Sequence, residues 1–465
     1  MAKMRHILNG KLSISNISLS RRVDQRKFTI AMAMIIILAG LLTPWQVAFA
    51  APVIYVRVDG HDTLCDGTVD TAYPGSGGPY PCAKRTIQVG VDAVDPGGTV
   101  GVRAGTYSAG ITIAKSMTLQ GEGAHLTYID GGGTMPGLDI GVGTTVDVYD
   151  LTIQNAVNSV YGGGIRNQGT LWLAECVIQD NYAPGGGGLF SNHSATVLGS
   201  FFQGNSAVVG GGIYFNGPLI MEDAIIRDNH VSGVESRGGG LYLNSAAGEW
   251  SYIRNSTFSG NTAENIGGEF YGGGGGIYFR GDELAILANV TIHANWSDWP
   301  GGGVLSLGSG GAYFLNSTIA GNLSDYGDGG VVTYRPSTSL TFTNSIVALN
   351  QGSDCHVWSG AIISDGSNIS SDNTCGFTYM GDMQNTDPLL GPLQDNGGLT
   401  ETRALLPGSP AIDAGNNVVC GSSYVSDEDQ RGWTRPIDGD RNGIARCDIG
   451  AFEVTLDLFL PLIMR

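Results

Sequence analysis

Between Gly162 and Val331 one phrase recurs seven times: a glycine cluster, an aliphatic residue, a β-rich stretch, then an Asn. The aliphatic residues are Ile165, Leu189, Ile213, Leu241, Ile277, Val304 and Val331, at successive spacings of 24, 24, 28, 36, 27 and 27 residues. A period of about 20–50 residues marks stacked units, none of which can bury its apolar face alone. One unit runs Gly210-Gly-Gly-Ile213-Tyr-Phe-Asn216, then Leu219-Ile-Met221, then Ala224-Ile-Ile226-Arg-Asp-Asn229. That is three short β runs with no helical period, the content of one turn of a right-handed parallel β-helix. The expectation is an all-β chain with roughly ten such coils over 99–369. Residues 51–98 read as an N-terminal cap, with a strand at Val53–Val58 and an amphipathic helix at Ala83–Val94. Residues 370–453 read as an irregular C-terminal module, and 454–465 as a short apolar tail.

Two columns follow from the repeat. Asn155, Asn181, Asn205, Asn229, Asn261, Asn295, Asn322 and Asn350 should stack, each amide donating to one neighbour and accepting from the next at a tight corner. Asn also tolerates the left-handed conformation that corners need. The residue after each aliphatic is Arg166, Phe190, Tyr214, Tyr242, Tyr278, Leu305 and Val332. Strand side chains alternate, so if the aliphatics face inward their successors face outward. Phe190, Tyr214, Tyr242 and Tyr278 are therefore expected to form an exposed aromatic column, a contact surface for a glycan or a protein.

Arg21, Arg22, Arg26 and Lys27 precede the apolar run Phe28–Leu42, and Ala48-Phe49-Ala50 is a small-x-small cleavage pattern. Residues 1–50 thus read as a cleaved secretory signal, and the protein as secreted or cell-surface. Cleavage takes 7 of 24 Lys/Arg and 1 of 42 Asp/Glu, leaving a net charge of −24. Such a chain has no electrostatic route to nucleic acid. The tail, at about a dozen residues, is too short for a helical membrane span, so none is expected in the mature chain, which is expected to be a monomer. Export permits disulfides, and three pairs lie close in sequence outside the main array: Cys65 with Cys82, Cys355 with Cys375, and Cys420 with Cys447. Cys176 is left over and reads as a small core residue.

The module holds Asp438-Gly-Asp440-Arg-Asn442-Gly443, then Asp448. Oxygen ligands at alternate positions before a glycine match the first half of a calcium loop. Ile449 stands where an EF-hand has Glu, so Asp448 or Glu453 is the substitute. Calcium is the one cofactor expected, on Asp438, Asp440, Asn442 and Asp448. Among the coils, Arg227, Asp228, His230 and Arg237 are the nearest set of charged residues, and they read as a solvated turn.

Resemblances to known families extend this reading. Thr86-Ile87, Gly97-Gly-Thr-Val100, Ala104-Gly-Thr-Tyr107 and Leu119-Gln-Gly-Glu-Gly123 resemble the opening of pectin-lyase-like right-handed β-helix proteins. Asp387-Pro-Leu-Leu-Gly-Pro-Leu393, Leu405-Leu-Pro-Gly-Ser-Pro-Ala-Ile-Asp-Ala-Gly415, Asp429-Gln-Arg-Gly432 and Cys447-Asp-Ile-Gly-Ala-Phe-Glu453 resemble the signature of bacterial choice-of-anchor Q proteins. The glycine-aliphatic and Phe/Ile-x-x-Asn phrases look like the repeats of polymorphic outer-membrane proteins. The resemblances imply the β-helix fold and an exported, surface-associated place; they imply no activity. The coils lack the Asp-Asp, Arg-x-Pro-x-x-Arg and Gly-His-Gly clusters of related lyases and polygalacturonases. The leading expectation is a non-catalytic, adhesin-like binding or structural module that contacts a polysaccharide or surface protein, with no catalytic residue assigned. The alternative is a polysaccharide lyase or glycoside hydrolase acting on an acidic or neutral polymer.

Overall fold

The computed structural model describes residues 52–455, apart from 247, 267–271 and 283. The segment read as a secretory signal and most of the segment read as an apolar tail lie outside the described residues. Within them the chain winds as a right-handed parallel β-helix, all neighbouring coils pairing in parallel. A first sheet stacks Ile111–Ile113, Leu138–Ile140, Ile165–Asn167, Leu189–Ser191, Ile213–Phe215, Leu241–Leu243, Ile277–Phe279 and Val304–Ser306. A second begins at Val53–Val56 and Thr99–Val102 and runs through Thr170–Ala174, Leu219–Glu222 and Trp250–Arg254 to Gly311–Leu315. The long strands Val331–Thr343 and Cys355–Ser364 join both ladders at the C-terminal end. Among the described residues a third sheet has 11 strands, from Gly105–Ser108 to Ile369–Ser370, and a fourth has 5 very short ones.

Each recurrent aliphatic pairs with the next: Ile165 with Leu189, Leu189 with Ile213, Ile213 with Leu241, and onward to Val331. All are fully buried in one continuous core. The glycines before them are dictated by approach. A methyl on Gly302 would overlap the Leu323 carbonyl of the next coil, and Gly186 turns the corner at φ +65°.

The Asn column forms, with one correction. The Oδ1 of Asn205 accepts from the backbone N–H (3.1 Å) and the Nδ2 (3.0 Å) of Asn181. Asn229, Asn261, Asn295, Asn322 and Asn350 repeat this bond pair coil by coil, and Asp354 Oδ1 receives the last. Asn155 is not a member. Ala156 occupies its rung, and Asn155 stands one residue earlier, exposed. That earlier position is the left-handed corner. It is held by Asn155, Asp180, Gly204, Asp228, Gly260, Ala294, Gly321 and Leu349, at φ between 51° and 71°. The stacked Asn residues serve the ladder; their predecessors take the corner.

The N-terminal helix, Ile87–Ala93, is shorter than the periodicity predicts and buries Ile87, Gly90 and Val91 over the open end of the core. The strand before it, Val53–Val56, is the second sheet's first rung, paired with Thr99–Val102, so the ladder starts inside the segment read as a cap. Among the described residues the disulfides are Cys65–Cys82, Cys355–Cys375 and Cys420–Cys447. Cys176 is buried, and burial pushes its thiol up to about 12.

The C-terminal module folds back along the third sheet. Thr257, Thr291 and Thr318 lie in register on consecutive rungs. Thr257 Oγ1 donates to the Glu401 carbonyl and Thr291 Oγ1 to Gln430 Oε1, both at 2.6 Å, and Thr318 Oγ1 accepts from Ala451 N at 3.1 Å. Leu405, Ala411, Ile449 and Phe452 pack with Ile346 and Ile369 of the coils. Short outward side chains on these rungs leave room for that contact. Earlier rungs of the same column carry Val177, Phe201 and Ile225, and the outward column beside it carries Gln154, Gln179, Gln203 and Arg227, a ladder of side-chain hydrogen bonds.

Candidate functional site

The aromatic column stands in register, Phe190 beside Tyr214, Tyr242 and Tyr278, and points away from the central core. It is not the exposed surface that alternation predicts. Phe190 and Tyr242 are buried, Tyr278 is 0% exposed, and only Tyr214 is half-buried. The glycine-rich corners fold against the strands and cover the rings. A methyl at Gly185 would come within 2.6 Å of Tyr161 and 3.0 Å of Tyr214, and the Arg237 guanidinium sits 5.9 Å over Tyr278. Centroids 4.7–5.4 Å apart and packing against Leu305, Leu307 and Val332 make the column a second small core. Outward from the solenoid axis is not the same as solvent-facing when the connection returns over its own strand.

The second sheet offers an open face. Its outward register line runs Asp147, Trp172, Thr196, Ile220, Tyr252, Ile286, Tyr313. Trp172 is 40% exposed, Ile220 47%, and Trp250, two residues before Tyr252, 55%. Beside the line, Glu222 and Arg254 pair across neighbouring rungs. The module borders this face: Tyr252 Oη donates to the Tyr424 carbonyl at 2.5 Å, and Arg254 Nη1 to Ser426 Oγ at 3.1 Å. Sequence reasoning followed the glycine-marked column and passed over this one. Its signal was present in Thr170-Leu-Trp-Leu173, strict alternation with Trp on the outer side.

The four charged residues near 227–237 do not converge. Arg227 donates to Gln203 Oε1, Asp228 holds a corner, His230 Nδ1 lies 2.7 Å from Thr262 Oγ1, and Arg237 pairs with Glu235.

The four residues expected to hold calcium do not gather as one set. Among the described residues one trio of carboxylates, Asp413, Asp438 and Asp440, brings an oxygen from each within 4.8 Å of the others. Asp413 joins from a distant segment; its Oδ2 accepts from Asp440 N at 2.7 Å. Burial raises the Asp413 carboxyl, and the charges of Asp440 and Asp438 add to it. Asn442 Oδ1 accepts from Ile444 N, closing the turn on itself. Asp448 is buried and committed elsewhere, accepting from Asp413 N (2.7 Å) and Val454 N (2.6 Å).

Asp448 instead belongs to a buried charged knot with Glu453, Arg435, Asp429 and Arg431. Burial pushes Glu453 from 4.5 up to about 7 against the pull of Arg435. Burial and the Glu453 charge also raise Asp448 well above its ordinary value. The two carboxyls titrate as a pair. Between pH 4.5 and about 7 the folded protein holds protons that the unfolded chain has released. Glu453's contribution is thus full below pH 4.5 and lost as pH rises to about 7, and Asp448, raised above 3.8, adds a loss in the same direction. We expect a loss of about 1–3 kcal/mol across that window, reduced in Glu453→Gln. His293, lowered by burial, works in the opposite direction. The measurement is therefore the difference in urea midpoint slope between wild type and variant; equal slopes would contradict it.

Residues 265–387 match the family described as right-handed β-helix region. Among solved structures, the chain is similar to pectate lyase Pel9A at 14% identity and a TM-score of 0.49, over 87% of this chain and 96% of that one. Comparison with curated proteins found no match.

Proposed function

We propose that this protein is an exported, surface-associated β-helix that holds an extended, uncharged polysaccharide along the outer face of its second sheet without cleaving it. The observation that carries the reading is exposed Trp172 and Ile220 and half-buried Tyr252 on one register line, with exposed Trp250 beside it. Its rungs repeat about every 4.8 Å on a rigid solenoid, a spacing suited to a linear polymer rather than a compact ligand. The net charge of −24 without residues 1–50 disfavours a uronate polymer and favours a neutral one. Three disulfides suit an oxidising compartment. The resemblance of the closing segment to choice-of-anchor Q proteins, and of the repeats to polymorphic outer-membrane proteins, supports a place at the cell surface. Affinity electrophoresis through gels containing one of several neutral polysaccharides, or polygalacturonate, tests the reading. At least one should retard the protein, and retardation by none, or by polygalacturonate alone, would contradict it.

Calcium enters this reading as a clamp on the module at Asp413, Asp438 and Asp440 rather than at Asp448. Millimolar calcium is expected to raise the melting temperature by mass action, and Asp413→Asn to remove the rise. An unchanged melting temperature in wild type would count against it.

A further inference from the structure

We propose a second carbohydrate site, for a single uncharged sugar ring, on Trp358 and Tyr326 at the C-terminal end of the first sheet's flank. Strand Cys355–Ser364 pairs with Val331–Thr343 in step from Cys355 opposite Val331 to Val357 opposite Thr333. The register then slips: Ser359 opposes Tyr334, and Trp358 has no partner across the ladder. A bulge of this kind re-aims a side chain. Here it turns Trp358 onto a cluster of rings from four separate coil segments. Trp358 lies 6.0 Å from Tyr326 at 51°, 5.8 Å from Tyr334 at 35°, and 5.0 Å from His356 at 23°. Trp299 stacks on Tyr326 at 5.6 Å and 16°.

Burial does not account for the cluster, because Tyr326 is 52% and Trp358 45% exposed. Two large rings set at an angle and left open to water present adjoining apolar faces. Two carboxylates lie near these rings in the chain, Asp325 exposed and Asp328 buried beneath His356. Asp328 Oδ1 lies 2.8 Å from His356 Nδ1 and accepts from Ser353 Oγ at 3.2 Å. Asp325 Oδ1 accepts from Trp296 Nε1 at 3.1 Å. The aromatic faces suit the C–H face of a pyranose, and the exposed Asp325 carboxylate, next to Tyr326 in the chain, suits a hydroxyl donor. A uronate or sulfated sugar would bring its charge against Asp325 and Asp328. An apolar protein anchor would bury Asp325 without a counter-charge, which is costly. A neutral ring meets neither penalty.

The site lies on another sheet from the face proposed above and stands without it. Saturation-transfer NMR on the full chain, with neutral disaccharides of glucose, mannose and galactose and with digalacturonate, tests it. A disaccharide engages one ring platform but not a four-rung face. At least one neutral disaccharide should receive saturation, and Trp358→Ala or Tyr326→Ala should weaken it by at least about ten-fold. Trp358→Phe should retain it, and Trp172→Ala with Trp250→Ala should leave it unchanged. Circular dichroism verifies folding, and Trp358→Phe with Tyr326→Ala carries the test if Trp358→Ala unfolds. The proposal is overturned if no neutral disaccharide is saturated, if digalacturonate is saturated equally, or if the signal survives loss of either ring. Loss of signal in the Trp172 and Trp250 variant alone would move the binding to the second sheet.

Discussion

Asn261→Ala is expected to destabilise the protein by about 3–5 kcal/mol, read as a shift in chemical denaturation. The side chain is fully buried and makes four hydrogen bonds. Its Nδ2 donates to the Ile226 carbonyl and to Asn295 Oδ1, and its Oδ1 accepts from the N–H and Nδ2 of Asn229. Truncation leaves the Asn229 N–H with no acceptor in a region closed to water, and an unpaired buried group costs about 1–3 kcal/mol. Asn261→Leu keeps most of the volume but should be no better, since the loss is of partners rather than of packing. Asn155→Gly is the control. The repeat aligns Asn155 with this column, yet it is an exposed left-handed corner at φ 51°, where glycine fits and a change within about 0.5 kcal/mol is expected. Comparable losses at both positions would refute the ladder assignment.

Trp172→Ala combined with Trp250→Ala is expected to weaken polysaccharide binding by roughly 1,000-fold, because exposed Trp anchors carry about 2 kcal/mol each when they are hot spots. Both rings are outward on the second sheet and neither belongs to the core. The melting temperature should therefore hold while retardation in the gel is lost. Phe190→Ala and Tyr278→Ala should do the reverse. Tyr278→Ala empties the second small core and costs about 3–5 kcal/mol of stability, Phe190→Ala removes the ring packed on Tyr214, and binding is retained once either protein is folded. If Tyr278 variants lost binding at full stability, the buried column would be the ligand surface after all.

The repeat made the architecture legible because every coil must solve the same packing problem. An aliphatic inward, a glycine where backbones approach and a buried amide at the turn are each forced locally, so period and residue type suffice. The Asn155 misassignment is a one-residue slip that the phrase cannot detect, since Asn is acceptable both in the ladder and at the corner. Exposure was not legible. Ile213 inward implies Tyr214 outward, but whether Tyr214 meets water depends on where the chain at Val209 returns, a tertiary fact. The calcium quartet failed similarly: Asp413, 25 residues before Asp438, reaches the loop, while Asp448 is drawn into the buried pair with Glu453. The fold-back of residues 385–453 onto Thr257, Thr291 and Thr318 has no periodic signal at all.

One assay bears most directly on whether the solenoid holds a polymer rather than cutting it. The chain lacking residues 1–50 is incubated with a panel of neutral and acidic polysaccharides, and each mixture is measured for bound protein and for new reducing or unsaturated ends. The account predicts retention on at least one neutral polysaccharide, abolished by Trp172→Ala with Trp250→Ala, with no new ends above the buffer control. Ends that accumulate with time on any polymer, in proportion to protein added, would contradict it and make the protein a polysaccharide-degrading enzyme.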